Sequence, residues 1–339
     1  MNVQDKARKR WDSVAKPLHS LGLLEDLIVQ IAGVQGTENV RIDRRCALVF
    51  CGDHGVVRQG VTQTDSGVTA LVAKAIAEGT GNINLMAAEA HTDVLAVDMG
   101  MLTAVPGVTD RHAGRGTADM TEGPAMTRIQ AEEAIRAGME QMRELHEQGY
   151  QIAVIGEMGI GNTTAASAVS AVLLGVDPEE VTGRGAGLSD AGLKRKISAI
   201  RKAIEVNKPD ADDPVDVLAK VGGFELAGMA GAYLGGLKYH IPVIPDGVIP
   251  TASALAAARM NPAVTQAILP GTISKEPADR LIMEALDMEP VIHAQTALGE
   301  GTGGVLLLPL LDMALRVYDG SHTFRNLGME AYTPQEGKA

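Results

Sequence analysis

Two glutamates set among glycines are the residues of this chain best suited to chemistry. Glu157 lies where the apolar run Ile152 to Ile155, a strand buried on both faces by its composition, turns through Gly156-Glu-Met-Gly-Ile-Gly161 into the alanine-rich helical stretch Thr163 to Leu174. Gly156, Gly159 and Gly161 let the backbone approach a ligand closely. Asn162, Thr163 and Thr164 can cap the helix while its free N–H groups face an anion, phosphate above all. A carboxylate beside such a cradle is repelled by the anion, so Glu157 suits a sugar hydroxyl or a cationic centre. An ordinary strand-to-helix corner accounts for the glycines equally well. Neither nucleotide fingerprint is spelled here, since the Gly-Lys-Ser/Thr of a P-loop and the dinucleotide glycine spacing are both absent.

Glu300 is the second glutamate, in Leu298-Gly-Glu-Gly-Thr-Gly-Gly304 before the apolar helical stretch Val305 to Val317. Glycines at the mouth of a hydrophobic helix strip water from a lone carboxylate, which suits it to act as a general base near neutral pH. Thr182-Gly-Arg-Gly-Ala-Gly-Leu-Ser-Asp190 is a second anion element, joining glycine N–H groups to Lys194, Arg195 and Lys196 of the stretch Ser189 to Val206. A solvated basic helix after a flexible loop explains that segment as well.

The elements that must hold these residues alternate along the chain. Apolar runs starting at Leu48, Val94, Ile152 and Ile241 each finish in an acidic turn, at Asp53, Asp98, Glu157 and Asp246. Helical patterns lie between and after them, at Val68 to Ala90, Thr127 to Gln148, Thr163 to Leu174, Ser189 to Val206 and Gly222 to Leu237. Alternating strands and helices imply an α/β fold with a parallel, doubly wound sheet, whose right-handed crossovers bring all strand carboxyl ends to one edge. The four carboxylates are expected on that common rim, although each alone is explained as a turn residue.

At 339 residues and 45% hydrophobic content the chain can bury a large core as one big domain or two modest ones. A net charge of −12 argues against nucleic acid and anionic membranes as partners. No apolar run reaches spanning length, so cytoplasmic residence is the default. Cys46 and Cys51 flank one short strand at an odd spacing, which points them to opposite faces as buried structural thiols. The histidines show no ligand spacing, and no metal is expected. Lys16-Pro17 leads into a helix start capped by Ser20; the arm either docks on the body or brings Lys16 to an anion. From His322 to Ala339 the chain turns polar and is expected to be a surface tail.

Taken in order, Lys16-Pro-x-x-Ser20-Leu-Gly22, Gly52-Asp-His-Gly55, Arg115-Gly-Thr-Ala-Asp-Met120, Gly156-Glu-Met-Gly-Ile-Gly-Asn-Thr-Thr164, Val221-Gly-Gly-Phe-Glu225, Asp246-Gly247 and Leu298-Gly-Glu-Gly-Thr-Gly303 resemble one family over nearly the full length. It is nicotinate-nucleotide:dimethylbenzimidazole phosphoribosyltransferase, which makes the lower-ligand nucleotide of cobalamin. The resemblance implies a large domain, residues 31–289, with a Rossmann-like parallel sheet and helices on both faces, and a small helical domain assembled from residues 1–30 and 290–339. It also implies a homodimer with its site near the subunit interface. The reaction would move the phosphoribosyl group of nicotinate mononucleotide to an aromatic base, without a cofactor.

By the same resemblance Glu300 matches the general base and Glu157 a second active-site carboxylate. Gly159, Ile160, Gly161, Asn162 and Thr163, with Gly185 and Lys196, correspond to the region holding the mononucleotide phosphate, and Asp246 to a motif position near the site. Ser66, Leu71 and Leu298 correspond to the region meeting the incoming base. Two departures concern that base. Ala70 and Leu71 stand where the family often has a glutamine, and Thr272-Ile-Ser-Lys-Glu-Pro277 lacks the family's leading histidine. A less polar pocket is expected, open to dimethylbenzimidazole, another benzimidazole, a purine or a phenol. The competing classes are a partner-dependent subunit working as a heterodimer with a related chain, and a nicotinamide-cofactor dehydrogenase, which the missing dinucleotide fingerprint disfavours.

Overall fold

The computed structural model describes residues 1–333. Its sheet holds five parallel strands, β1 (Arg45–Gly52), β2 (Asp93–Gly100), β3 (Thr109–Asp110), β4 (Ile152–Met158) and β5 (Val243–Pro245), in the order β3-β2-β1-β4-β5. Chain order therefore reverses across the β1/β4 pair, the switch point outside which open α/β sheets bind ligands. β1 is buried along its whole length and feeds two cores. Cys46, Leu48 and Phe50 enter one, while Ala47, Val49 and Cys51 enter the other, so the two thiols do face opposite sides.

Helices Arg128–Glu147, Asn162–Leu174, Phe224–Lys238 and Val248–Met260 cover the first face. Arg128–Glu147 and Phe224–Lys238 cross almost backbone to backbone: a Cβ on Gly138 would lie 1.8 Å from the Gly228 carbonyl oxygen, and one on Gly231 1.9 Å from that of Ile135. The second face is covered by helices Gly67–Ala77 and Asn82–Glu89 and by both chain ends, through helices Val3–Ser13, Leu23–Gln35 and Leu307–Gly320. Trp11 packs on Tyr318 with ring centroids 4.9 Å apart, and Val14 bridges to Thr323.

Several boundaries differ from the sequence expectation. The stretch Val68 to Ala90 is two helices, because Gly79 adopts a φ of +78° and Gly81 becomes the N-cap of the second. Ser20 caps nothing; the helix begins after Gly22, whose φ of +54° favours glycine. Lys16 forms an ion pair with the buried Glu25 at 2.6 Å, so its arm is a docking element. The stretch Val305 to Val317 divides into helices Thr302–Val305 and Leu307–Gly320. The expected surface tail is tied down at its start: Phe324 is buried and donates its N–H to Ser13, and Ala15 donates to His322. Residues 334–339 of that tail lie outside the described residues. Among the described residues no helix is long and apolar enough to cross a membrane.

Candidate active site

A cavity of about 330 Å³ opens beyond the carboxyl ends of β4 and β5. One wall is the turn after β4. Gly161 adopts a φ of +99° and is the N-cap of helix Asn162–Leu174, which no side chain caps. The N–H groups of Asn162 and Thr164 turn back to the carbonyls of Gly159 and Gly161, which leaves those of Gly161 and Thr163 for the cavity. The turn is pinned from below: Ile160 donates its N–H to Thr69 Oγ1 at 3.1 Å, and a Cβ on Gly159 would meet the Gly52 carbonyl oxygen at 2.4 Å. Asn162, expected as a cap, instead donates its carboxamide to Glu157. Behind the turn Lys196 is fully buried, and its Nζ donates to Thr163 Oγ1 at 2.8 Å and to the Gly183 carbonyl at 3.2 Å. Burial pulls the Lys196 pKa down to about 8, against the pull of nearby Glu276.

The opposite wall is the loop bearing Glu300, held in a left-handed conformation at three successive residues, Gly299 (φ +85°), Glu300 (φ +63°) and Gly301 (φ +97°). Such a conformation is unfavourable for a glutamate and persists only where its surroundings impose it. Asp246 does so, accepting the N–H of Gly301 at 2.7 Å and of Gly303 at 2.9 Å. Glu300 also donates its own N–H to the Glu157 carbonyl at 3.2 Å. The carboxylate is not bare between glycines, as the sequence suggested. It accepts from the Asn82 carboxamide and from the Ile83 N–H, each at 3.2 Å, at the start of helix Asn82–Glu89, where a helix favours negative charge. Burial lifts the pKa of two neighbouring carboxyls, Glu157 to about 8 and Asp246 to about 7 against its backbone hydrogen bonds.

The cavity lining contains Glu157, Gly159, Ile160, Gly161, Asn162, Thr163, Gly185, Asp246, Leu298 and Glu300, with Lys196 one contact behind through Thr163. Ser66 and Leu71 are not part of it. Leu71 points outward at 67% exposure while Val72 faces the cavity, since one step along a helix rotates a side chain by about 100°. The expected rim of four carboxylates also splits. Asp98 accepts the N–H groups of Gly100 and Met101 and pairs with Arg115 at 2.6 Å, and Asp53 accepts the N–H of Leu102, so both are committed to the β1/β2 side. Asp98, Asp110 and His112 approach metal-ligand geometry, but Arg115 bonds both Asp98 and His112 there.

Sequence reasoning missed Thr69 and Asn82, which hold the two walls, and the role of Glu276, which accepts the Gly185 N–H. The Glu276-Pro277 pair was a visible helix-start signal. His54 and Glu225 sit in two of the quoted motifs and pair at 2.5 Å in the core, with His54 packed beneath Gly161.

A family model described as phosphoribosyltransferase matches residues 1–329. The chain is 43% identical over 333 residues to the nicotinate-nucleotide–dimethylbenzimidazole phosphoribosyltransferase of Acetivibrio thermocellus, covering 98% of this chain and 95% of that one. With the enzyme of that name from Escherichia coli O17:K52:H18 it shares 39% identity over 320 residues, covering 94% and 89%. The crystal structure of CobT from Thermus thermophilus superposes with a TM-score of 0.90 at 39% identity, covering 97% of this chain and 99% of that one.

Proposed function

Since the chain belongs to the nicotinate-nucleotide–dimethylbenzimidazole phosphoribosyltransferase family, we propose that its cavity takes nicotinate mononucleotide and an aromatic nitrogen base and exchanges nicotinate for that base at ribose C1′. The observation that carries this reading is an uncapped helix N-terminus facing, across one cavity, a glutamate forced into a left-handed turn.

The 5′-phosphate rests on the N–H groups of Gly161 and Thr163 and on Gly185, with Lys196 supplying charge through Thr163. So anchored, the ribose presents C1′ to the Glu300 wall, an orientation effect of several kcal/mol. A ring nitrogen of the base attacks C1′ from the face opposite nicotinate. The bond to nicotinate breaks with its electron pair staying on the pyridine nitrogen, and Glu300 takes the proton from the base's other ring nitrogen. Inversion turns the β-nucleotide into an α-riboside 5′-phosphate. The Glu300 carboxylate also offsets positive charge growing on the ribose. Glu157, kept protonated near neutrality by burial, serves as a hydrogen-bonding group rather than as a second charge.

Val61, Val72 and Leu298 give the base region an apolar lining, which supports an uncharged aromatic acceptor. Dimethylbenzimidazole, other benzimidazoles and purines fit that description, as do phenols, for which the hydroxyl oxygen attacks C1′ in place of a ring nitrogen and gives its proton to Glu300. Leu298 is 52% exposed at the mouth, which supports closure by a second copy in a homodimer, with a related chain as the alternative. Residues 1–30 and 290–333 are read as a small domain that carries Glu300 to the site. A chromatographic assay with nicotinate mononucleotide and a panel of these acceptors tests the function. Nicotinate release with a new α-riboside, lost in Glu300→Gln, supports it; hydride-transfer absorbance without nicotinate release overturns it. Turnover by the purified single chain excludes the partner-dependent class.

A further inference from the structure

The cavity lining includes a carboxylate that the transfer reaction does not use. Glu276 accepts the Gly185 N–H through Oε1 at 3.1 Å, and its Oε2 lies so close to Gly183 that a Cβ there would meet it at 2.0 Å. The same loop offers its Gly183 carbonyl to Lys196 Nζ, and Glu276 acts electrostatically on that ammonium. Glu276 therefore sits on the Gly183–Gly185 loop among the groups that would hold a phosphate. A carboxylate fixed there and a phosphate dianion repel each other. Arg184 does not relieve this, because its guanidinium is engaged by the Leu188 carbonyl and by Asp190.

Two features leave Glu276 free to leave. It is the N-cap residue of helix Pro277–Ala285, yet its side chain makes no bond to that helix. It is also only half-buried, so solvent lies within reach of its carboxylate.

We propose that Glu276 is a resident stand-in for the substrate phosphate, holding the Gly185 N–H in the ligand-free protein and giving it up when the nucleotide binds. The inference rests on the phosphate placement given under Proposed function. While the site is empty, the stand-in keeps a glycine loop and a buried lysine electrostatically paired. It also sets a threshold for entry. A doubly charged phosphate monoester displaces it, whereas singly charged anions and uncharged ribosides gain too little.

Calorimetric titration of the full chain with inorganic phosphate, and separately with nicotinate mononucleotide, tests this in wild type, Glu276→Gln and Thr163→Val, each checked for folding by thermal melting. Glu276→Ala replaces the glutamine variant if that one misfolds. Glu276→Gln is expected to bind phosphate roughly tenfold more tightly, the scale of one charge-assisted hydrogen bond, and to become sensitive to competition by acetate. Thr163→Val is expected to bind it more weakly. If Thr163→Val weakens binding while Glu276→Gln leaves it unchanged or weaker, the cradle stands and the stand-in role is overturned. If neither variant alters phosphate affinity, the phosphate lies elsewhere and both fall together.

Discussion

Replacing Gly156 by alanine adds a single methyl group where β4 passes under the Glu300 loop. The new Cβ would lie 2.3 Å from the Gly301 nitrogen and 2.4 Å from the Glu300 carbonyl carbon, whereas ordinary contact begins at 3.4 Å. Both neighbours are backbone atoms, so no side chain can rotate aside, and the loop must retreat by about 1 Å. Overpacking of this kind costs about 1–3 kcal/mol of stability, which a protein of this size survives. Catalysis suffers more, because a misplacement of about 1 Å costs on the order of 100-fold in rate. The expected outcome is kcat down roughly 100-fold with the KM for nicotinate mononucleotide little changed, since the phosphate turn is on the other wall. Gly123→Ala is the control, as its Cβ would meet nothing within 4 Å. Steady-state kinetics and thermal melting on the three proteins decide the matter. Wild-type kcat in a folded Gly156→Ala protein would refute the placement of Glu300 at the reacting centre.

Glu300→Gln should lower kcat by roughly 10²- to 10⁴-fold, the usual contribution of a general base, and leave nucleotide binding intact; calorimetry alongside kinetics separates the two. Lys196→Met should raise the KM for the nucleotide roughly 30-fold, about 2 kcal/mol for a lost charge-assisted contact, with kcat at saturation nearly unchanged. Asp246→Asn turns a carboxamide NH₂ toward the N–H of Gly301 or Gly303, which should cost about 2 kcal/mol in chemical denaturation and reduce kcat. Glu157 gives a pH signature. Its folded carboxyl, raised to about 8, keeps a proton that the unfolded chain, at 4.5, has released, so stability of the ligand-free protein falls as pH rises through that window. Glu157→Gln should flatten that fall, and an unchanged slope in urea titrations would count against the buried neutral form.

The strands were legible because β1 and β4 are buried on both faces and read as unbroken apolar runs. The helix break at Gly79-Thr80-Gly81 was not, since apolar residues continue in phase on either side of it. Prolines at 178, 214 and 277 open helices too short to give a long apolar pattern, each flanked by charge. At the site, Glu157, Thr163 and Glu300 were readable from glycine spacing, because the backbone must come close there. Leu71 follows from motif correspondence alone, which says nothing of orientation: on its helix it turns to solvent while Val72, one residue on, faces the cavity. The contact of Glu276 with Gly185 spans 91 residues and leaves no local pattern.

Glu300 is carried by a layer built from the first and last parts of the chain, and this orders events during synthesis. The glycine turn after β4 and Lys196 have left the ribosome about a hundred residues before Glu300 follows. Meanwhile Trp11, Ile28 and Ile31 lack Leu308, Leu311 and Tyr318, the core neighbours they finally pack with. A nascent chain at that stage carries an unsealed apolar face on its earliest helices. Translation must finish before that face closes, so a ribosome stalled late exposes a sticky, inactive intermediate to chaperones and proteases.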